Sequence, residues 1–432
     1  MSNKIKNNIF LKSTLVLLFG GIVGKLVGFV LRIIVTRKLG PEGMGLYSLL
    51  APTSALLSVI ATLSYPTALS KIISEKSSRT KTLFTSIIPL SLIINIFIIV
   101  VTVLLAPTLS ILLKNEALYF PIICLSLVTP FISISSIIKG YFWGKQNMFP
   151  YMLSNFIEQV ARLIFITLFI DKFLSLSLTH AISFIILVNA AGEVISQLVM
   201  IYFFPKNIKP SINDFNKDDI KKIMNISIPS TSSKIIGSIS YFLEPIVLTN
   251  VLMYVGYSKD FIVYEYGVIN AYAMSLLLMP QFFTQNMATS LVPELSKYYS
   301  QGNKVMCKKR IKQIVLISST IGAISTFIIT LFPKFFLNIL YHTTAGIDYI
   351  KILSPFTILF YIEYPLINAL QALGKSKSAM KCTITSSIVR LISIATLSLL
   401  KIGMYSLILS IIINLLLSTY LYSKEIKKVL SN

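Results

Sequence analysis

Lys25 and Arg32 lie seven residues apart inside a stretch, residues 12–36, that is otherwise almost wholly apolar. In a helix, seven residues return to the same face two turns on. A cation in bilayer hydrocarbon costs about 2.5–3.5 kcal/mol on insertion scales. Two on one face therefore predict a helix that lines a wet cavity and attracts something anionic. Arg162, Lys234 and Arg390 interrupt other apolar runs, and Glu158, Glu193, Glu244 and Glu363 stand against them. The chemistry available to such a set is capture of an anionic headgroup, with carboxylates balancing charge or taking up a coupling cation.

The spacing assigns roles residue by residue. Glu158 and Arg162 are four apart, which places both on one helix face as an internal ion pair. Arg390 has no carboxylate at that spacing and is open to either a ligand or a structural role. Lys25 and Arg32 have no acidic partner within their own helix, so cavity lining is the expected role. Glu244 is placed to neutralise Lys25, Arg32 or Lys234. Glu193 and Glu363 read equally well as proton or cation sites and as paired structural groups. Gln281 and Gln285 share a face beyond Pro280; that face suits sugar hydroxyls, or a helix–helix hydrogen bond. His180 and His342 are far apart and signal no metal site. No P-loop, nucleotide site or nucleophile constellation is present, so no catalytic residue and no cofactor is expected. Coupling would have to come from H+, from Na+ or from the membrane potential.

The elements that position these groups follow from composition. The 432 residues are 55% hydrophobic and only 13% charged, with a mean hydropathy of +0.79. That defines an all-α polytopic membrane protein. Apolar runs at 12–36, 45–69, 83–106, 119–140, 151–171, 180–204, 223–255, 267–292, 313–333, 350–373, 382–400 and 403–422 give about twelve spans of membrane-crossing length. The runs are continuous, which excludes an alternating β-barrel. The net charge of +23 invites a nucleic-acid reading, but its placement rejects one. Lysines and arginines crowd every alternate gap, as at Lys71–Lys81, Lys206–Lys222, Lys297–Lys312 and Lys375–Lys381. The excess over the other side is roughly three to one, the positive-inside pattern, which predicts a cytoplasmic-membrane protein with both termini in the cytoplasm. The N-terminal run is too long and too charged for a cleavable signal peptide. Cys124, Cys307 and Cys382 are isolated and imply no disulfide framework.

The second half echoes the first. Leu69-Ser-Lys71 recurs as Leu295-Ser-Lys297, Gly144-Lys145 as Gly374-Lys375, and Arg162-Leu-Ile164 as Arg390-Leu-Ile392, at offsets of 226, 230 and 228. Near-equal offsets in order mark a duplication. The predicted organisation is an N-terminal lobe over residues 1–204, a basic cytoplasmic connector over 205–222 and a C-terminal lobe over 223–432. Two-lobed transporters of this kind hold their substrate site near the bilayer midplane between the repeats.

Three stretches then carry a resemblance: Gly28-Phe29 with Leu39-Gly-Pro-Glu-Gly-Met-Gly-Leu-Tyr47, Pro66-Thr-Ala-Leu-Ser-Lys-Ile-Ile-Ser-Glu75, and Leu291-Val-Pro-Glu-Leu-Ser-Lys297. The chain resembles, over essentially its whole length, the polysaccharide-biosynthesis branch of the multidrug/oligosaccharidyl-lipid/polysaccharide (MOP) exporter superfamily. The resemblance implies a V-shaped, two-lobed flippase that moves undecaprenyl-diphosphate-linked glycans from the inner to the outer leaflet by alternating access. It also implies membrane lipids around the protein and a cell-wall synthase as a partner, and for sporulation members of the branch it implies spore-cortex peptidoglycan. The lipid II flippases of the superfamily use arginines on the first, second and eighth helices; here Leu31, Leu56 and Ser275 occupy the matching positions. Lys25, Arg32 and Lys234 are left to hold a lipid-linked diphosphate. Two rival readings are a cation-coupled multidrug exporter of the same superfamily and a membrane-embedded glycosyltransferase or ligase. The first needs a net acidic cavity, and the second an acidic site in a sizeable loop.

Overall fold

A computed structural model describes residues 2–75, 80–205 and 215–431, with side chains from Gly24 onward except at 75, 233, 286, 289, 290 and 293. Lys76, Arg79, Lys206 and Lys209 of the basic loops lie outside the described residues. Among the described residues every regular element is helical. The helices are α1 (Ser2–Thr62), α2 (Tyr65–Glu75), α3 (Thr80–Leu112), α4 (Tyr119–Gly144), α5 (Phe149–Leu174), α6 (Leu178–Tyr202), α7 (Lys217–Val255), α8 (Lys259–Gly267), α9 (Met274–Leu278), α10 (Gln281–Ser300), α11 (Lys304–Leu331), α12 (Pro333–Tyr341), α13 (Ile347–Ala372), α14 (Ser376–Ser398) and α15 (Tyr405–Ser431).

Eleven stretches among the described residues are long and apolar enough to cross a membrane, and the longest, Gly24–Ser74, takes in two of the predicted spans. The two are separate helical segments that meet at a kink, because Gly40 inside α1 is non-helical (φ 65°, ψ −175°). That conformation is open essentially to glycine alone, and Pro41 after it has no N–H to donate. The predicted span 267–292 is subdivided. After α8 comes a π-helical turn, Val268–Ala273, then α9, then a break at Met279-Pro280 before α10. Near the break the Leu277 carbonyl accepts a hydrogen bond from the Tyr361 hydroxyl of α13 at 2.8 Å. A side chain thus supplies a donor where the ladder is interrupted.

The contacts divide the chain into two compact units, Met1–Gly43 with Leu50–Ser238, and Met44–Leu49 with Ile239–Asn432. The division falls inside α7. In unit 1, α2 packs on α4, and Tyr65, Ala68, Leu69 and Ile73 share a core with Ile137, Tyr141 and Phe142. Two glycines of α4 allow the approach. A Cβ on Gly140 would sit 2.9 Å from the Leu69 Cβ, and one on Gly144 would sit 2.8 Å from the Ile73 Cβ. In unit 2, α10 packs on α13 through Leu291, Leu295, Leu366, Ala369, Leu370 and Leu373. Leu69 and Leu295, the partners of the sequence repeat, are both 0% exposed. Each such leucine contributes about 1.5–3 kcal/mol of burial. The most specific motif of the sequence is therefore also the core of each unit, and Ser296 within it donates to the Ala372 carbonyl at 3.0 Å.

Gly144→Leu should lower the melting temperature of the detergent-solubilised protein, through overpacking of about 1–3 kcal/mol. Gly237→Ala is the control. Nothing lies within 4 Å of its added methyl, so the melting temperature should hold or rise. Equal losses in both variants would contradict this packing.

Candidate functional site

In unit 1 the polar groups at membrane depth gather on α5 and its neighbours. Arg162 Nη2 meets Glu158 Oε1 at 2.5 Å, one turn apart on α5. The stem of Arg162 lies across Gly192 of α6, where an added Cβ would fall 2.6 Å from Arg162 Nε. Beside Gly192, Glu193 pairs with Lys139 of α4 at 3.6 Å, and the Lys139 ammonium sits 6.0 Å from the centre of the Tyr151 ring. Glu158 is only 3% exposed. The glycines of α1 face the same seam. Added Cβ atoms on Gly24 and Gly28 would stand 3.1 Å and 3.3 Å from the side-chain oxygens of Asn155 and Gln159. The Gly-x-x-x-Gly spacing thus admits two amides of α5.

The seam holds two carboxylates and two cations and is neutral in sum. Lys25 and Arg32 are exposed on α1, and Lys234 is exposed on α7.

In unit 2, Arg390 of α14 reaches Glu244 of α7, Nη2 to Oε1 at 2.8 Å, with side chains 25% and 6% exposed. The sequence leaves Arg390 without a carboxylate because its partner lies on another helix. Glu244 is thus engaged by Arg390, a partner that its position in the chain does not predict. Glu363 is half-buried on α13 beside Ser418 and within electrostatic reach of Arg390. Gln281 is buried, and its amide donates to the Phe360 carbonyl at 2.9 Å. This is the helix–helix bond, one of the two roles that its place in the sequence allows. Gln285 is half-buried one turn on. Ser275, at the position matching a flippase arginine, is buried and accepts from the Tyr341 hydroxyl at 3.3 Å. Among the described residues no group of three or more His, Cys, Asp or Glu could hold a metal ion.

Sequence reasoning overlooked Lys139, Gly192 and Tyr361. The adjacency of Gly192 and Glu193 inside an apolar span was a readable signal, since a glycine beside a buried carboxylate leaves room for the cation's stem.

Solved structures share this fold. A multidrug resistance MATE family transporter of the MOP superfamily, in its inward-facing conformation, aligns with a TM-score of 0.79 at 16% identity over 94% of each chain. A MOP superfamily transporter from Pyrococcus furiosus aligns at 0.66 and 16% identity, covering 98% of this chain and 95% of its own. The chain has the all-α polytopic fold of these MOP superfamily proteins. Residues 10–299 match the family described as Polysaccharide biosynthesis protein, and residues 245–396 match MatE. Stage V sporulation protein B of Bacillus subtilis (strain 168) is 31% identical over 98% of this chain and 84% of its own length. Lipid II flippase MurJ of the same organism is 22% identical over 91% of this chain and 77% of its own. The chain belongs to the polysaccharide biosynthesis protein family, within the MOP superfamily.

Truncating one member of a buried ion pair leaves the other charge stranded, at a cost of about 3–5 kcal/mol. Arg390→Met should therefore destabilise unit 2 strongly, and Arg390→Met with Glu244→Leu should recover most of the loss in thermal unfolding. Additive losses in the double variant would show that the pair is not a unit.

Proposed function

We propose that the protein is a flippase that moves a polyprenyl-diphosphate-linked glycan, a precursor of peptidoglycan or another polysaccharide, from the inner to the outer leaflet of the bacterial cytoplasmic membrane by alternating access. The observation that carries this reading is the match of the chain to the polysaccharide biosynthesis family and to a sporulation relative over nearly its whole length, joined to two basic side chains, Lys25 and Arg32, exposed two turns apart on α1. Lys234 is exposed on α7 of the same unit. A diphosphate supplies the negative charge that makes exposed cations tolerable at such depth. The relatives named for sporulation and for lipid II flipping support a lipid-linked cargo. Both termini are assigned to the cytoplasm on the lysine distribution, and no chemical step on the glycan is needed.

Charge also sets the direction of transport. An inside-negative potential is worth about 2.3 kcal/mol per charge per 100 mV, and it drives an anionic headgroup outward or a coupling H+ or Na+ inward. Glu363 is the carboxylate assigned to such coupling, because Glu158 and Glu244 each hold an arginine and Glu193 pairs with Lys139. A cell-wall synthase is the partner that would consume the flipped headgroup. The match of residues 245–396 to MatE favours, as the second reading, export of cations by an acidic site.

Labelled lipid-linked disaccharide in proteoliposomes tests the proposal. The protein should translocate it without forming new glycosidic bonds. Lys25→Ala with Arg32→Ala should cut the rate at least about tenfold, since one charged hydrogen bond is worth about 1.5–3 kcal/mol. Unchanged translocation in the double variant would overturn the site. Efflux of a cationic dye with no lipid movement would overturn the cargo.

A further inference from the structure

Unit 2 contains a cavity that the flippase reading does not use. It has a volume of about 250 Å³ and is lined by residues that include Tyr264, Glu265, Gly346, Asp348, Tyr349 and Tyr405. These lie in the first two turns of α8, α13 and α15 and in the residue capping α13. The cavity therefore opens at the end of unit 2 formed by residues 256–258, 342–346 and 399–404. That is the end away from the lysine-rich loops, and on the topology proposed above it faces away from the cytoplasm.

The construction is specific. Tyr349 is 9% exposed, and its hydroxyl donates to Glu265 Oε2 at 2.7 Å. One oxygen of that carboxylate is thus fixed by a buried donor. The rings of Tyr349 and Tyr405 lie 5.5 Å apart at 60° and form an aromatic corner. Gly346 caps α13 in the left-handed region (φ 94°). A Cβ there would approach Val268 Cγ1 to 3.1 Å, so the glycine and the first residue of the π-helical turn close one wall together. Single π-helical turns recur at functional sites because they displace the side chains on either side of them.

The lining chemistry selects the ligand class. Two carboxylates face a small space that no lysine or arginine lines among the described residues, in a chain whose net charge is +23. An anion is repelled there. A neutral polyol would cover the carboxylates without compensating their charge. A hard metal ion such as Ca2+ takes 6–8 oxygen ligands, and among the described residues no metal-holding cluster exists. Carboxylates combined with tyrosine rings instead match an organic ammonium, which gains from charge pairing and from the π faces at once. The volume lies below the roughly 300–1,000 Å³ of drug-sized pockets, which limits the occupant to a single headgroup.

We propose that this cavity binds an alkylammonium group. The group belongs either to the headgroup of a membrane lipid or to a soluble amine such as an amino sugar. The site is independent of the translocation reading, because it shares no residue with Lys25, Arg32 or Lys234.

Calorimetric titration of the full-length protein in maltoside micelles tests the proposal, with ethanolamine and choline as probes and ethylene glycol and NaCl as neutral and inorganic controls. Ethanolamine and choline should bind saturably, and the controls should not. Glu265→Gln keeps an acceptor for Tyr349, and combined with Asp348→Asn it should weaken choline binding at least tenfold. Should that double variant not fold, Tyr405→Ala at the rim replaces it, with the same weakening expected. Absence of saturable binding, equal affinity for ethylene glycol, or unchanged affinity in these variants would overturn the proposal. Repeating the titration in nanodiscs of ethanolamine-headgroup lipid identifies the source. Loss of choline binding there marks the lipid as occupant, and retained binding marks a soluble amine. Translocation measured in parallel keeps failure of this site distinct from failure of the flippase reading.

Discussion

An ionised side chain inside hydrocarbon must find a counter-charge, a neighbour with a polar face, or water, and this requirement organises the molecule. Unit 1 meets it with a seam across α4, α5 and α6, where Glu158, Arg162, Glu193 and Lys139 neutralise one another. Unit 2 meets it with one contact between α7 and α14. Neither solution maximises stability, since well-packed apolar residues of similar volume often do as well or better. What the pairs provide is geometry. A guanidinium held by a carboxylate fixes the rotation of its helix, and in unit 1 the bare backbone of Gly192 allows Arg162 to lie flat across α6.

Five basic residues interrupt the apolar runs, and spacing sorts them only in part: Arg162 has a carboxylate one turn away on its own helix, and Arg390 does not. In the structure Arg162 and Arg390 each meet a carboxylate, and Lys25, Arg32 and Lys234 are exposed on unit 1. Of the two roles the sequence leaves open for Gln281, its bond to the Phe360 carbonyl is the helix–helix one.

Much of this was legible in the chain, and the limits have physical causes. Long apolar runs announce helices because every backbone polar group in lipid must be satisfied within its own segment. The Glu158–Arg162 pair was readable because both members sit on one face at a fixed spacing. The Glu244–Arg390 pair was not, because 146 residues separate its members and only the packing of α7 against α14 brings them together. The repeat pointed to Leu69 and Leu295 as equivalent residues, and both proved to be core. The division of the predicted 267–292 span escaped detection, since hydropathy does not distinguish α-helical from π-helical backbone. The short α12 escaped because its apolar residues continue those of α11.

The π-helical turn at Val268–Ala273 has a genetic consequence. It places one residue more per turn than an α-helix, so the segment before it is out of phase with the segment after it. Each α-helical residue advances the chain by about 100°. Deleting a single codon within the turn would restore regular phase and swing Tyr264 and Glu265 about a quarter of the way round the helix axis relative to α9. Length variation at this point is therefore a means by which related chains could redirect one face of the helix while leaving every side-chain identity unchanged.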